Sequence, residues 1–224
     1  MGNLDKSSLL KKLQIQLNQD WKRFQNIIMI AKDIKDEYKG SQDDLYRMFI
    51  VFLHATLETL LREILRFIFI NNPKYILNDI SIISKSSKRY PHKITLSELY
   101  EHKDMTVDQL IKLSINQFLD KMSFNSYREI INQLQKAQLK TKILTKYQDN
   151  IDAMISKRHQ IVHRFDRTNS KDEKPIESLN YKVIGQWMYN TAMFCNDVIQ
   201  LFDPGSDIAE VNKESMKFFQ RLIT

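Results

Sequence analysis

Apolar residues recur every three or four positions through the first third of the chain, and this period constrains the fold more than any other feature. The spacing predicts one helix from about Leu4 to Tyr38 and a second that continues to about Asn71. Gly40 is expected to end the first helix, and Ser41 is expected to cap the second. Two long helices joined by so short a connection are expected to pack as an antiparallel hairpin.

Helical periodicity continues through the rest of the chain, where few residues break helices. Only 4 Gly and 4 Pro occur among 224 residues, fewer than a turn-rich β protein requires. We therefore predict an all-α helical bundle with a long N-terminal helical hairpin. Its further helices are expected at about 96–102, 107–122 (capped by Thr106), 127–139, 145–164 and 179–202, with loops at 73–94 and 166–174.

Basic residues are concentrated around the end of the predicted helix 145–164. The whole chain has a net charge of +7, and an excess of five positive charges (eight basic minus three acidic residues) falls within residues 140–171. Such a segment suits an anionic partner, although a solvated basic surface has the same composition. The eight basic residues are Lys140, Lys142, Lys146, Lys157, Arg158, Arg164, Arg167 and Lys171.

Several classes of protein are disfavoured by what the sequence lacks. Four scattered glycines cannot form a phosphate-binding loop, and no cluster of Cys and His residues has the spacing of a zinc site. The single cysteine, Cys195, is expected in the core and favours a reducing compartment. The most apolar stretch, residues 49–70, contains five charged or histidine residues, so it is expected to be a core helix and not a membrane span. We therefore expect a cytoplasmic protein without cofactor or metal.

The run Arg-His-Gln-Ile-Val-His at residues 158–163 has the most distinctive chemistry. His159 and His163 are four residues apart and share one helix face, whereas Arg158 lies about 140° around an ideal helix from His163. Arg and His at this spacing also occur by chance, and cations at the end of a helix interact favourably with its dipole. On the residues alone, a catalytic group and a stabilised helix end both remain open.

RNA cleavage needs a cation and a titratable group of this kind. The ribose 2′-hydroxyl is the nucleophile, so no metal-bound water is required; a base takes its proton and an acid protonates the leaving 5′-oxygen. Histidine titrates near neutral pH, and arginine binds phosphate oxygens through two N–H groups. One chain offers one such set, and a twofold dimer with facing motif helices would supply two.

The run at 158–164 resembles the Arg-polar-x-x-x-His signature of HEPN domains, in particular the RiboL-PSP-type branch, in which an Arg-Asn-x-x-Val-His-Arg string is typical. Its context is similar as well, since a polar connection and a terminal amphipathic helix follow it. The segment 54–65 is similar to the early core helix of that family. The resemblance covers about residues 45–202.

The resemblance implies both an architecture and an activity. We expect a single HEPN-like helical domain over residues 1–224, with its core at about 45–202, an N-terminal helix at 1–40 and a tail helix at 206–224. The implied activity is that of a metal-independent endoribonuclease of the toxin or antiviral-defence kind, acting on RNA as a homodimer. An antitoxin or another defence-system partner is compatible with that family.

The family signature also implies roles for individual residues. Carried onto this sequence, it makes Arg158 the contact to the scissile phosphate and His163 the acid/base group, with His159 in a supporting position. Toxins of this family that pair with nucleotidyltransferase antitoxins often carry a tyrosine two residues after the histidine. Phe165 stands there, so neutralisation by adenylylation at that position is not expected.

Charge and spacing add further candidates for the same site. Lys157, Arg164 and Arg167 flank the motif and are expected to contact nucleic acid. His54 and Glu58 lie four residues apart on the second predicted helix. They either line the cleft as supporting residues or belong to a solvated face.

Two other functions fit the same residues. A non-catalytic HEPN module would use the basic cleft to bind RNA, a nucleotide or a partner protein, and its binding would weaken strongly with salt. A helical adaptor in a larger defence complex would carry its basic charge incidentally. Cleavage of RNA with turnover would distinguish an endoribonuclease from both of these functions.

Overall fold

The chain is built from helices in all the parts that the structure describes. This computed structural model describes residues 5–34, 39–80, 96–164, 179–205 and 213–223. No β-strand occurs within those ranges, which confirms the all-α prediction. The helices are α1 (Lys6–Lys32), α2 (Lys39–Asn71), α3 (Leu96–Glu101), α4 (Val107–Lys121), α5 (Tyr127–Lys136), α6 (Gln148–Arg164), α7 (Tyr181–Phe202) and α8 (Lys213–Ile223), with 3-10 turns at Pro73–Tyr75 and Thr141–Tyr147.

Helices α1 and α2 form the predicted antiparallel hairpin. Asp5 caps α1 by accepting a hydrogen bond from the Ser8 N–H at 2.7 Å. Farther along, the Thr56 hydroxyl donates to Asp20 at 3.0 Å, and near the start of α1 a salt bridge joins Lys12 to Glu63. Because residues later in α1 pair with residues earlier in α2, the two helices run in opposite directions.

The junction between α1 and α2 differs from the prediction. Helix α2 already includes Lys39, so Gly40 lies inside its first turn and Ser41 does not cap it. Gln42 instead donates its side-chain amide to the Ala31 carbonyl at 2.7 Å, which satisfies an acceptor at the end of α1. The connection is therefore stabilised by a side-chain hydrogen bond between the two helices. The sequence pattern had predicted a helix end at Gly40 instead.

Helix α2 is the centre of the core and packs against α1, α4, α6 and α7. Most apolar side chains of α2 are buried, and Phe52 is an exception, since 48% of it is exposed. Cys195 on α7 is fully buried, as predicted, and burial raises the pKa of its thiol. The tail helix α8 contacts α7 and α1, where Phe219 meets Trp21 edge to face.

The helices that lead to the motif have somewhat different bounds from those predicted. Thr106 caps α4 as expected, in a reciprocal capping box with Gln109. Helix α5 ends at Lys136, because Gln138 adopts a left-handed conformation with φ of 62°. Most of the predicted loop 73–94 and the whole of the connection 166–174 lie outside the described residues. None of the described helices is long and apolar enough to cross a membrane.

Candidate functional site

A group of three polar residues on α2 binds the backbone of the linker between α4 and α5. His54 is 2% exposed, and its Nε2–H donates to the Phe124 carbonyl at 3.0 Å. The Phe124 N–H in turn donates to Glu58 Oε1 at 3.2 Å. Both backbone groups of one linker residue are thus satisfied by side chains one helical turn apart on α2.

Arg62, one turn further along α2, completes the same arrangement. Its Nε donates to the Leu119 carbonyl and its Nη2 to the Met122 carbonyl, both at 2.9 Å. The last carbonyls of a helix lack partners within the helix, so the guanidinium caps the end of α4. We refer to His54, Glu58 and Arg62 together as the linker clamp.

The motif helix α6 holds the other end of the same linker. Asp152 Oδ1 accepts a hydrogen bond from the Tyr127 N–H at 2.7 Å, at the first residue of α5. Ser126 caps that helix as well, by accepting from the Glu129 N–H at 3.2 Å. Because α2 and α6 both bind one short linker, their relative position is fixed close to the motif.

The structure places the two supporting residues predicted on α2 against the backbone of the linker. His54 and Glu58 were expected either to line a cleft or to form a solvated face. His54 is buried, and each of the two side chains forms a hydrogen bond with the backbone of Phe124. Their four-residue spacing was visible in the sequence, but nothing in the sequence identified the linker as their partner.

The electrostatic environment of His54 shows that Arg158 lies near the clamp. Burial lowers the pKa of His54, because the charged imidazolium loses its hydration. The bond to the Phe124 carbonyl and the charge of Glu58 act in the opposite direction. The positive charges of Arg158 and Arg62 lower the pKa further, which favours the neutral form of the imidazole.

Arg158 combines partial burial with an unsatisfied donor. The residue is intermediate in exposure, and its Nε atom is buried without a hydrogen-bond acceptor among the described residues. A buried donor without an acceptor costs about 1–3 kcal/mol, and more for a charged group. Most such groups in native proteins have a partner, so this one requires an explanation.

His159 and His163 lie on the exposed side of the same helix end. Both are exposed, and their ring centres are 4.4 Å apart with the planes tilted by 45°. Among the described residues, neither ring makes a hydrogen bond. We refer to Arg158, His159 and His163 as the motif end of α6.

Within one chain the structure does not bring Arg158 and His163 to the same face. Helix α6 is regular through Arg164, so the two residues keep their separation of about 140° around the axis. Arg158 is half-buried and lies near enough to His54 on α2 for its charge to act on that ring, whereas His163 is exposed. Around the helix axis, Val162 lies between these two residues, and 44% of it is exposed.

The three residues expected to contact nucleic acid have different outcomes. Lys157 is only 8% exposed, so little of its side chain is accessible on the surface of this chain. Arg164 is the last residue of α6, and Arg167 lies outside the described residues. Part of the basic excess is also used internally, since Lys146 forms a salt bridge with Asp197 at 3.0 Å.

Comparison with known families identifies the class of the chain. The family model described as RiboL-PSP-HEPN matches residues 7–201. The chain therefore belongs to the RiboL-PSP-HEPN family, which confirms the resemblance carried by the motif. Membership indicates an RNase-like or RNA-related module. No curated protein and no solved structure matches the chain.

Metal binding by a conventional cluster has no support in the described residues. Within them, no group of three or more His, Cys, Asp and Glu side chains could hold a metal ion. The family match and the motif end are therefore the two observations from which a function can be argued.

Proposed function

We propose that this chain is an endoribonuclease of the toxin or antiviral-defence type, which cleaves RNA as a homodimer without a metal ion. The observation that carries the proposal is the motif end of α6 in a HEPN chain. This end of the helix carries the half-buried guanidinium of Arg158, whose Nε has no acceptor among the described residues. It also carries the exposed imidazoles of His159 and His163, and all three groups lie within two turns of the helix. This is the set of groups that cleavage by an internal nucleophile requires.

The proposed reaction is a transesterification within the RNA. The 2′-oxygen forms a bond to phosphorus while the bond from phosphorus to the 5′-oxygen breaks. A base accepts the proton of the 2′-hydroxyl, and an acid gives a proton to the leaving 5′-oxygen. The products are a 2′,3′-cyclic phosphate and a 5′-hydroxyl, and no oxidant, reductant or bound water takes part.

The motif end supplies a distinct group for each task. Arg158, whose side chain is half-buried, donates from its guanidinium to a non-bridging phosphate oxygen and offsets the charge that grows on phosphorus. His163 acts as the acid/base group, since it is exposed and can reach a bound strand. His159, in ring contact with His163, orients that imidazole.

The separation of Arg158 and His163 around α6 is the reason for proposing a dimer. One chain presents the two groups in directions about 140° apart, so a single motif end encloses a phosphate poorly. Two motif ends facing each other across a twofold axis would surround one strand and supply both an acid and a base. An antitoxin or a defence-system partner would act by covering or opening that cleft.

The main test is cleavage of RNA by the purified full chain in the presence of EDTA. We expect cleavage to persist and the products to carry 2′,3′-cyclic phosphate and 5′-hydroxyl ends. Arg158→Ala should lower the rate by about 10²–10³-fold, because a preorganised donor to the developing charge is lost. Arg128→Ala, which removes an exposed arginine from α5, is the matched control and should cleave as the parent chain does. A dimer that cleaves no RNA, or that requires added metal, contradicts the proposal.

A second candidate is a HEPN module that binds RNA or a nucleotide without cleaving it. The separation of Arg158 and His163 by about 140° around α6 favours this second candidate. Its signature would be saturable binding that weakens strongly with salt but gives no product. If a partner protein co-purifies instead and RNA neither binds nor is cleaved, the chain acts as an adaptor.

A further inference from the structure

The histidine pair at the motif end has a geometry that suits a second kind of ligand. His159 and His163 are one helical turn apart, both exposed, with ring centres separated by 4.4 Å. Two histidines at this spacing on a helix also supply two of the ligands in helical zinc sites. The spacing brings both imidazoles to the same side of the helix without any change in the backbone.

The observed separation of the rings is close to what one shared metal ion needs. Imidazole nitrogens bind Zn²⁺ at about 2.0–2.1 Å, which at a tetrahedral angle places the centres of two such rings roughly 5 Å apart. The rings at 4.4 Å reach that arrangement by small rotations of exposed side chains. Neither ring has a hydrogen bond among the described residues that binding would have to break.

We propose that His159 and His163 form a two-imidazole site for a divalent late transition-metal ion such as Zn²⁺, Ni²⁺ or Cu²⁺. Imidazole is a ligand that these ions share, and the order of affinity should place Cu²⁺ above Zn²⁺ and Ni²⁺. No third Cys, His, Asp or Glu joins the pair within the described residues, so water completes the coordination. The ion is therefore exchangeable and is not a structural component of the fold.

Binding at this pair would inhibit the proposed ribonuclease, a consequence that rests on the proposed function. A metal ion takes the lone pair of the His163 nitrogen that must accept or donate a proton during cleavage. The same ion holds the His159 ring and prevents it from orienting its neighbour. Cleavage would then be highest in a chelator and would fall as the free ion occupies the pair.

The binding test is calorimetric titration of ZnCl2 into the full chain, purified without a histidine tag in metal-free buffer. We expect His159→Gln and His163→Gln each to weaken binding by about tenfold or more, because one ligand cannot chelate. His102→Gln is the matched control, since it removes a histidine outside the pair and should bind zinc as the parent chain does. Circular dichroism should show that the two variants of the pair are folded, since both residues are exposed, and it checks the folding of His102→Gln, whose side chain is half-buried.

Two results would overturn the metal site. One is that the parent chain binds zinc no more tightly than His159→Gln. The other is that His102→Gln weakens binding as much as the variants of the pair. Histidine ring resonances give a second readout, and those of His159 and His163 should shift together when zinc is added.

Inhibition is measured separately, so that the two proposals can fail independently. Zinc should slow RNA cleavage by the parent chain, EDTA should restore it, and His102→Gln should respond in the same way. If the pair binds zinc but the chain cleaves no RNA, the metal site stands and the proposed function fails. If the chain cleaves RNA and zinc does not bind to the pair, the metal site fails and the ribonuclease stands.

Discussion

The linker clamp of α2 and the motif end of α6 each contain histidine and arginine, but they differ in what their polar atoms contact. In the clamp, His54 is buried and bonded to the Phe124 carbonyl. At the motif end, His163 is exposed and makes no hydrogen bond among the described residues. Residue types that are alike in the sequence therefore serve two different purposes in the molecule.

Structural polar residues differ from candidate functional ones in whether their hydrogen-bond partners lie within the fold. A buried polar group contributes to stability when its partners lie within the fold, by about 0.5–1.5 kcal/mol for a typical hydrogen bond. An exposed polar group without internal partners contributes little to stability and is available to a ligand. Removing clamp residues should therefore reduce stability, whereas removing motif residues should reduce activity.

The largest effect is expected at His163. We expect His163→Ala to reduce RNA cleavage by about 10²–10⁴-fold, because the acid/base group is lost. Its free energy of unfolding should change by no more than about 0.5 kcal/mol, since the side chain is exposed. Urea unfolding and product quantification measure the two quantities, with Gln160→Ala, at another exposed residue of α6, as a matched control. A His163→Ala variant that unfolds more easily but still cleaves RNA would contradict the distinction between the clamp residues and the motif residues.

The next effect is expected at Arg62, and it should be one of stability. Arg62→Ala leaves the Leu119 and Met122 carbonyls without their donor, which should lower the free energy of unfolding by about 2–3 kcal/mol. Arg128→Ala, at an exposed arginine, should have almost no effect. Urea unfolding measures both variants. Equal stabilities would show that the clamp does not hold the linker.

A smaller effect is expected at Asp152, which joins α6 to the same linker. Asp152→Ala removes the acceptor of the Tyr127 N–H and should cost about 1 kcal/mol, as the loss of a helix cap does. Asp152→Asn keeps an acceptor and should recover part of that loss. Asp104→Ala, at an exposed turn position, is the control. If Asp152→Asn and Asp152→Ala unfold alike, the bond to the linker contributes nothing.

The smallest effect is a dependence of stability on pH that originates at His54. Glu58, Arg62 and Arg158 face this buried ring, and its pKa in the folded protein is lowered, mainly by burial. The unfolded chain therefore binds a proton more readily, so stability is complete above about pH 6.5 and falls as pH decreases toward the folded pKa.

His54→Gln tests that dependence directly. The glutamine amide can replace the Nε2–H donor to the Phe124 carbonyl but does not titrate. Unfolding measured at a series of pH values should show a shallower loss of stability below about pH 6.5 in the variant than in the parent chain. Identical pH profiles would mean that His54 is not held neutral.

The sequence predicted the fold better than it predicted the neighbourhood of the site. Apolar periodicity alone indicated the hairpin, and the motif run indicated the family that the comparison confirms. The role of His54 could not be predicted, because its partner is a backbone carbonyl 70 residues away. The burial of Lys157 was missed for a related reason, since a lysine beside a motif is ordinarily solvated.

The contributions of single hydrogen bonds across helices were likewise invisible in the sequence. Asp152 looked like an ordinary acidic residue in the first part of α6, yet it caps α5. Gln42 tied α1 to α2 where Gly40 was expected to end a helix. Local patterns identify elements, whereas the partners of polar side chains depend on how the elements pack.

The most direct test of this account applies the same substitution to the two histidines. RNA cleavage per folded molecule should be measured for His163→Gln and His54→Gln, in EDTA and with the folded fraction determined for each. We expect the cleavage rate of His163→Gln to fall by about 10²-fold or more. The rate of His54→Gln should stay within about tenfold of the rate of the parent chain. Equal losses in the two variants, or undiminished cleavage by His163→Gln, would contradict this account.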